Sequence, residues 1–222
     1  MSGKPELPYG YLGAQPKFSE FGMTTLSHNN PEVAVSDNQI EVKFKTTRPV
    51  KLTGNLVECA NEQEHKDYVF CHTQNDVSSM IATMPNPGYY KLQIYALPCD
   101  DDSKTLPGVF NYLINNQGSA KAPTPFPKQY APWKDGCYLY DPIVLNRSMN
   151  LSNIQVKLHV PNAAAVAATV EGDWTHLERD AQGLWAGQLN LDKFKQTGCK
   201  VCLNANYGGD KTKFATLLEY SL

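Results

Sequence analysis

Long hydrophobic runs are missing from this chain of 222 residues. No stretch approaches the roughly 20 apolar residues that a helix needs to cross a bilayer, which excludes a helical membrane span. Residues Met1 to Pro8 also lack an apolar leader core, and the expectation that follows is a cytoplasmic protein. Blocks of basic residues are absent as well. Lys and Arg number 20 against 22 Asp and Glu, a net charge of −2, so no patch is built to grip a phosphate backbone. Neither nucleic acid nor membrane is therefore an expected partner. Helix-forming stretches are equally scarce. The alanine run Asn162 to Ala168 is the best of them, and it lies between a strand-like segment and the β-like Thr169-Val170-Glu171-Gly172, so it reads as a turn feeding a strand. What remains, 41% hydrophobic and 19% charged residues, is the composition of a folded chain with enough apolar surface for a core.

The strongest positive signal is an internal repeat. Ile40-Glu41-Val42-Lys43-Phe44 matches Ile154-Gln155-Val156-Lys157-Leu158, an offset of 114 that also carries Gly22 onto Gly136 and Ser27-His28 onto Asp141-Pro142. Lys91 to Ala96 matches Lys200 to Ala205 at an offset of 109, as a shortened loop would produce. Each half closes on an aromatic-led apolar run, Phe110 to Ile114 and Phe214 to Tyr220. Within the copies, Ile40, Val42 and Phe44 alternate with Glu41, Lys43 and Lys45, a period of two that puts one set on a core face and the other in water. Turn signals separate such runs at Thr53-Gly54-Asn55, Pro85 to Gly88, Asp180 to Gly183 and Tyr207 to Asp210. Short alternating strands at this spacing predict an all-β chain of two tandem immunoglobulin-like β-sandwiches.

The predicted organisation is an N-terminal extension over 1–19, a first sandwich over 20–118, a Pro-rich linker over 119–133 and a second sandwich over 134–222. Pro123, Pro125 and Pro127 make the linker extended and semi-rigid. Phe126, Tyr130 and Trp133 are too apolar for a free tether, and these three are the candidate partner-binding residues.

Candidate chemistry is thin. Cysteine catalysis needs a thiolate beside a base. Cys71 and His72 are adjacent, but neighbours on a strand point to opposite faces, which predicts a core thiol and a solvated imidazole. Cys137, before Tyr138-Leu139-Tyr140, reads as a buried small hydrophobe. Cys199-Lys200-Val201-Cys202 has the C-x-x-C spacing of zinc and redox sites, yet positions three apart on a strand diverge and no second pair accompanies it. Without an export signal the six thiols are expected to be free, and the sequons at Asn146 and Asn150 carry no meaning in a cytoplasmic chain. Trp174 and Trp185 flank the Asp180 turn as two strands of a hairpin would, which favours core or cross-strand packing over an exposed aromatic platform. His28, His65, His159 and His176 show no ligand spacing, and Asp100-Asp101-Asp102 reads as a solvated loop tip before it reads as a calcium loop. No catalytic residue, metal or cofactor is expected.

Several motifs together carry a resemblance. Tyr9-Gly10-Tyr11-Leu12-Gly13, Pro16-Lys17-Phe18, Phe21-Gly22-Met23 and Ser27-His28 resemble the entry into the immunoglobulin-like region of the kyphoscoliosis peptidase and hillarin family. Trp133 with Gly136-Cys137, Val160 to Ala163, Trp174, Trp185-Ala186-Gly187 and Leu217 to Tyr220 look like the next domain of that region. The resemblance implies sandwiches that stand beside a transglutaminase-like domain with a Cys-His-Asp triad, in proteins some of which are tied to muscle and the cytoskeleton. That catalytic domain has no counterpart in these residues. The resulting expectation is a non-catalytic protein-interaction or structural module, cytoskeleton-associated. Two alternatives stay open: a regulatory module packing in trans on a transglutaminase-like domain, or a cysteine-dependent peptidase or transglutaminase-type enzyme.

Overall fold

The computed structural model describes residues 3–222. The chain folds as two compact units, one ending at Pro123 and the other spanning Thr124–Leu222. The first contains β1 (Gly13–Ala14), β2 (Met23–Thr25), β3 (Glu32–Val35), β4 (Gln39–Thr46), β5 (Val50–Glu58), β6 (Gln63–Glu64), β7 (Val69–Gln74), β8 (Val77–Thr83), β9 (Gly88–Pro98) and β10 (Gly108–Asn116). One of its sheets has the order β2-β4-β8-β7 and the other β1-β10-β9-β5-β6, with β3 joined in parallel to β10.

The alternation expected for β4 is realised: Ile40, Val42 and Phe44 are buried while Glu41, Lys43 and Lys45 are exposed. Phe44 packs against Phe18 and Phe110 with ring centroids 5.7 and 5.8 Å apart, and Phe110 lies 4.5 Å from Tyr112. Phe18 comes from the short helix α1 (Pro16–Glu20), so residues 13–19, read in the sequence as part of the extension, supply both an edge strand and a core ring. Thr53-Gly54-Asn55 is not a turn; it lies in the middle of β5. Gly54 faces inward, and a Cβ there would stand 2.5 Å from the Met80 sulfur, so the glycine makes room for a core side chain in place of bending the backbone.

The second unit contains β11 (Lys128–Gln129), β12 (Tyr138–Asp141), β13 (Ile154–His159), β14 (Ala165–Val170), β15 (Asp173–His176), β16 (Glu178–Arg179), β17 (Trp185–Leu189), β18 (Lys200–Asn206) and β19 (Ala215–Ser221). Its sheets run β12-β13-β17-β16 and β11-β19-β18-β14-β15. Matched by the repeat, these are the same two orders as in the first unit, with β4 and β9 in the places of β13 and β18. The alanine run does enter a strand, β14. Segment 119–133 divides: the Lys121 amide donates to Pro85 in the first unit, whereas β11 and the 3-10 turn Ala131–Lys134 belong to the second.

The two units also share a device the repeat foreshadows. Gly22 and Gly136 both take left-handed backbone, at φ +73° and +87°. Beyond them, the Tyr112 hydroxyl donates to the His28 carbonyl at 3.0 Å and the Tyr220 hydroxyl to the Pro142 carbonyl at 2.7 Å, positions related by the offset of 114 at the acceptor. Burial pushes both phenols well above their ordinary value, so both remain donors at any pH the fold meets. Each bond ties a core strand to the turn that leads into the next element. Tyr112→Phe and Tyr220→Phe should each cost about 1–3 kcal/mol, the penalty of leaving a buried acceptor unsatisfied. Urea midpoints followed by circular dichroism check this.

Candidate functional site

Among the described residues no disulfide joins any of the six cysteines. Cys71, Cys137 and Cys199 are buried, and burial pushes the Cys137 thiol up to about 12, with Asp135 adding to the effect. Cys199 shares a buried face with Val201, Leu203 and Ala205, while Cys202 turns to the opposite face, where its thiol donates to the Glu219 carboxylate at 3.8 Å. The C-x-x-C spacing thus sends its two sulfurs apart. Among the described residues no group of three or more His, Cys, Asp and Glu gathers to hold a metal ion. The Asp101 carboxylate is occupied in its own loop, accepting the Ser103 amide at 2.9 Å. One expectation for His72 fails: the imidazole is buried, not solvated, because Val69 to His72 are covered on both faces of β7, with Phe70 edge-on at 5.5 Å.

A polar cluster that the sequence did not disclose lies in the first unit. Glu58, at the inward-facing end of β5, and His65 have side chains 9% and 7% exposed, with Nε2 and Oε2 3.0 Å apart. The Asn86 amide donates to the same carboxylate at 3.3 Å, its backbone N–H to the Tyr90 hydroxyl at 3.1 Å, and its carbonyl accepts from Asn116 at 2.8 Å. His65 stacks on Tyr68 at 5.8 Å. The network holds Asn116, the last residue of β10. It uses every strong hydrogen-bonding atom of the carboxylate on the protein itself, which suits support more than chemistry. Sequence reading missed it because Glu58 and His65 meet only through the β5-β6 pairing.

Of the three residues nominated in the linker, Trp133 is 1% exposed and Phe126 is buried, so neither ring offers much surface. Tyr130 is half-buried; its amide donates to Leu217 at 2.9 Å and its hydroxyl to Glu219 at 3.3 Å, which fixes it beside β19.

The exposed aromatic surface lies elsewhere. Trp174 and Trp185 are not hairpin partners: β15 and β17 belong to different sheets. Trp185 is buried as expected, but Trp174 is 52% exposed. It sits on the outermost strand of its sheet, all four of whose residues are exposed. The Phe214 ring meets Trp174 edge-on at 5.0 Å and His176 at 6.1 Å, and Trp174 stacks towards His176 at 6.3 Å. Tyr207, 46% exposed, lies in the loop that leads to Phe214. Across the sheet Trp174 is in register with Thr169, Cys202, Glu219 and Lys128. One face therefore carries rings at the β15 edge, a polar middle and Tyr130 near the other edge.

Comparison with known families matches residues 7–127, more than half the chain, to the KY-like, immunoglobulin-like domain. The chain belongs to this family. A mouse relative, kyphoscoliosis peptidase from Mus musculus, is 25% identical over 197 residues, covering 86% of this chain and 29% of the relative. The chain thus spans under a third of that protein. Among solved structures, a chain of the complex of Dpr11 IG1 with DIP-gamma IG+IG2 is 10% identical, with a TM-score of 0.24, covering 86% of this chain and 92% of that one. A chimeric titin Z1Z2 tandem is 14% identical with a TM-score of 0.22 and the same coverage. Within the KY-like match lie Glu58, His65 and Asn86; the Trp174 cluster lies beyond it, in the second sandwich.

Breaking the buried pair should be costly to this KY-like domain. Glu58→Leu alone should destabilise it by about 1–3 kcal/mol, because His65 and Asn86 lose their hydrogen-bond partner in a buried site. The double variant Glu58→Leu/His65→Leu should cost less than the sum of the two singles. A double-mutant cycle by urea unfolding measures both.

Proposed function

We propose that this chain is a non-catalytic protein-interaction module of the KY-like family, cytoplasmic and cytoskeleton-associated, that holds a partner on its second sandwich. The observation that carries the reading is the contrast between its two kinds of reactive side chain. Cys71, Cys137 and Cys199 are buried as core filling and His65 is fixed by Glu58, whereas exposed Trp174 and His176 meet a half-buried Phe214 at an open sheet edge. Monomeric surfaces seldom keep contiguous rings exposed without a binding purpose. Sandwiches of this kind bind through end loops or exposed edges.

A second reading is favoured by the partial coverage of the mouse relative, whose name is that of a peptidase. In it, the module is regulatory and packs in trans on a transglutaminase-like domain. Co-sedimentation separates the two. Purified chain added to a washed cytoskeletal fraction at physiological salt should pellet saturably. A chain that stays in the supernatant there, yet binds a purified transglutaminase-like domain of a kyphoscoliosis peptidase, would replace the first reading by the second.

A further inference from the structure

We infer that β15 is a docking edge for a short extended peptide bearing two apolar or aromatic side chains two residues apart, with an acidic residue beyond the one that pairs with His176. This rests on the interaction-module reading above and names its site and ligand class. Residues 170–173 form a two-residue hairpin, with Glu171 at φ +47° and Gly172 at φ +87°, the signs of a type I′ turn. The register fixes which backbone groups are spent. The Leu177 amide donates to Val166 at 2.9 Å, and pairing continues through Ala168 with Thr175 and Val170 with Asp173. Hydrogen-bonded pairs alternate with non-bonded ones in an antiparallel ladder, so Thr175 and Asp173 face β14. Trp174 and His176, opposite Thr169 and Ala167, turn their N–H and C=O groups outward to the open edge.

The same two residues carry the rings. A strand added at this edge pairs with Trp174 and His176, and its residues opposite them place their side chains beside the Trp174, His176 and Phe214 rings. Main-chain bonds and side-chain pockets thus coincide at alternate positions, which is the requirement for strand addition.

The size of the edge selects the occupant. Four residues span about 13 Å, and such a contact falls well below the roughly 1,200 Å² that a stable protein–protein interface buries. A second copy of the chain is therefore a poorer fit than a linear peptide. Charge supplies the polarity. His176, Ala167, Asn204 and Thr216 form one row across the sheet, and the segment Asp210 to Phe214 arrives just beyond that row. Its Lys211 and Lys213 are exposed, and neither is ion-paired among the described residues, whereas Asp173 at the opposite end of β15 is paired with Lys193 at 3.7 Å. A carboxylate past the residue opposite His176 meets those two ammonium groups; the acidic residues at the same end are Glu178 and Asp210, the latter engaged by the Thr212 amide and hydroxyl in its own loop.

The test is panning of a displayed library of random ten-residue peptides against the full chain, then titration of the enriched peptide by fluorescence anisotropy. Enrichment of apolar residues at i and i+2 with an acid beyond them is expected, with micromolar affinity. Trp174→Ala should weaken binding at least tenfold. His176→Pro should abolish it, since it removes an outward donor while sparing the ladder to β14, and an unchanged circular dichroism spectrum would show the fold intact. No enrichment, or binding that survives both substitutions, would overturn the inference, as would Trp174-dependent self-association in sedimentation or binding to a glycan array in place of peptides. Cytoskeletal pelleting that persists in Trp174→Ala would sink this edge but leave the module reading standing; pelleting absent in the wild-type chain sinks the reading itself.

Discussion

Every strand in this protein must satisfy its backbone on both sides, and where a sheet ends, one side goes without. That constraint shapes the second sandwich more than any single contact. Two sheets facing each other bury Val156, Leu158, Val166, Leu203 and Leu218 between them, and the pairing of β18, β14 and β15 runs out after Asp173–His176. The unpaired row is short and flanked by Asp173 and Glu178, which is how natural sheets keep an edge from aggregating. What is unusual is that two rings of this strand, Trp174 and His176, meet a third, Phe214, from the segment before β19.

The two sandwiches reach similar architecture by different polar means. Both use a tyrosine hydroxyl to tie a core strand to the turn near its left-handed glycine. The first adds a buried carboxylate–imidazole pair at its exit, with Asn86 and Asn116 linking it to the departing chain. In the second, the polar residues Asn204, Thr169 and Thr216 bond to one another on the outer face of the sheet. Polar capital in the first unit holds the fold closed; in the second it lies beneath an accessible surface.

Much of this was legible in residue order. Alternation in Ile40 to Lys45 announced a half-buried strand, and the repeat predicted that two copies of one strand order would follow. Cys199 to Ala205 was read correctly because period two alone decides which sulfur faces the core. Failures came where local pattern and long-range packing part. Gly54 looked like a turn residue, but its missing side chain serves Met80 across the sandwich. His72 sat on the face that alternation assigned to solvent and is nonetheless covered. Trp174 and Trp185 seemed equivalent around one turn, yet the chain switches sheets between them at Leu177, placing one indole inside and the other at the rim. The Glu58–His65 pair left no local trace, since only the fold brings those positions together.

Amide hydrogen exchange resolved by residue along β15 addresses the central claim directly. In the isolated chain the Thr175 and Leu177 amides should be protected and the Trp174 and His176 amides should exchange rapidly, an alternation that marks an edge open to a partner strand. Uniform protection across all four amides would mean that the edge is already occupied or turned inward, and the account of this module as a peptide-binding sandwich would be wrong.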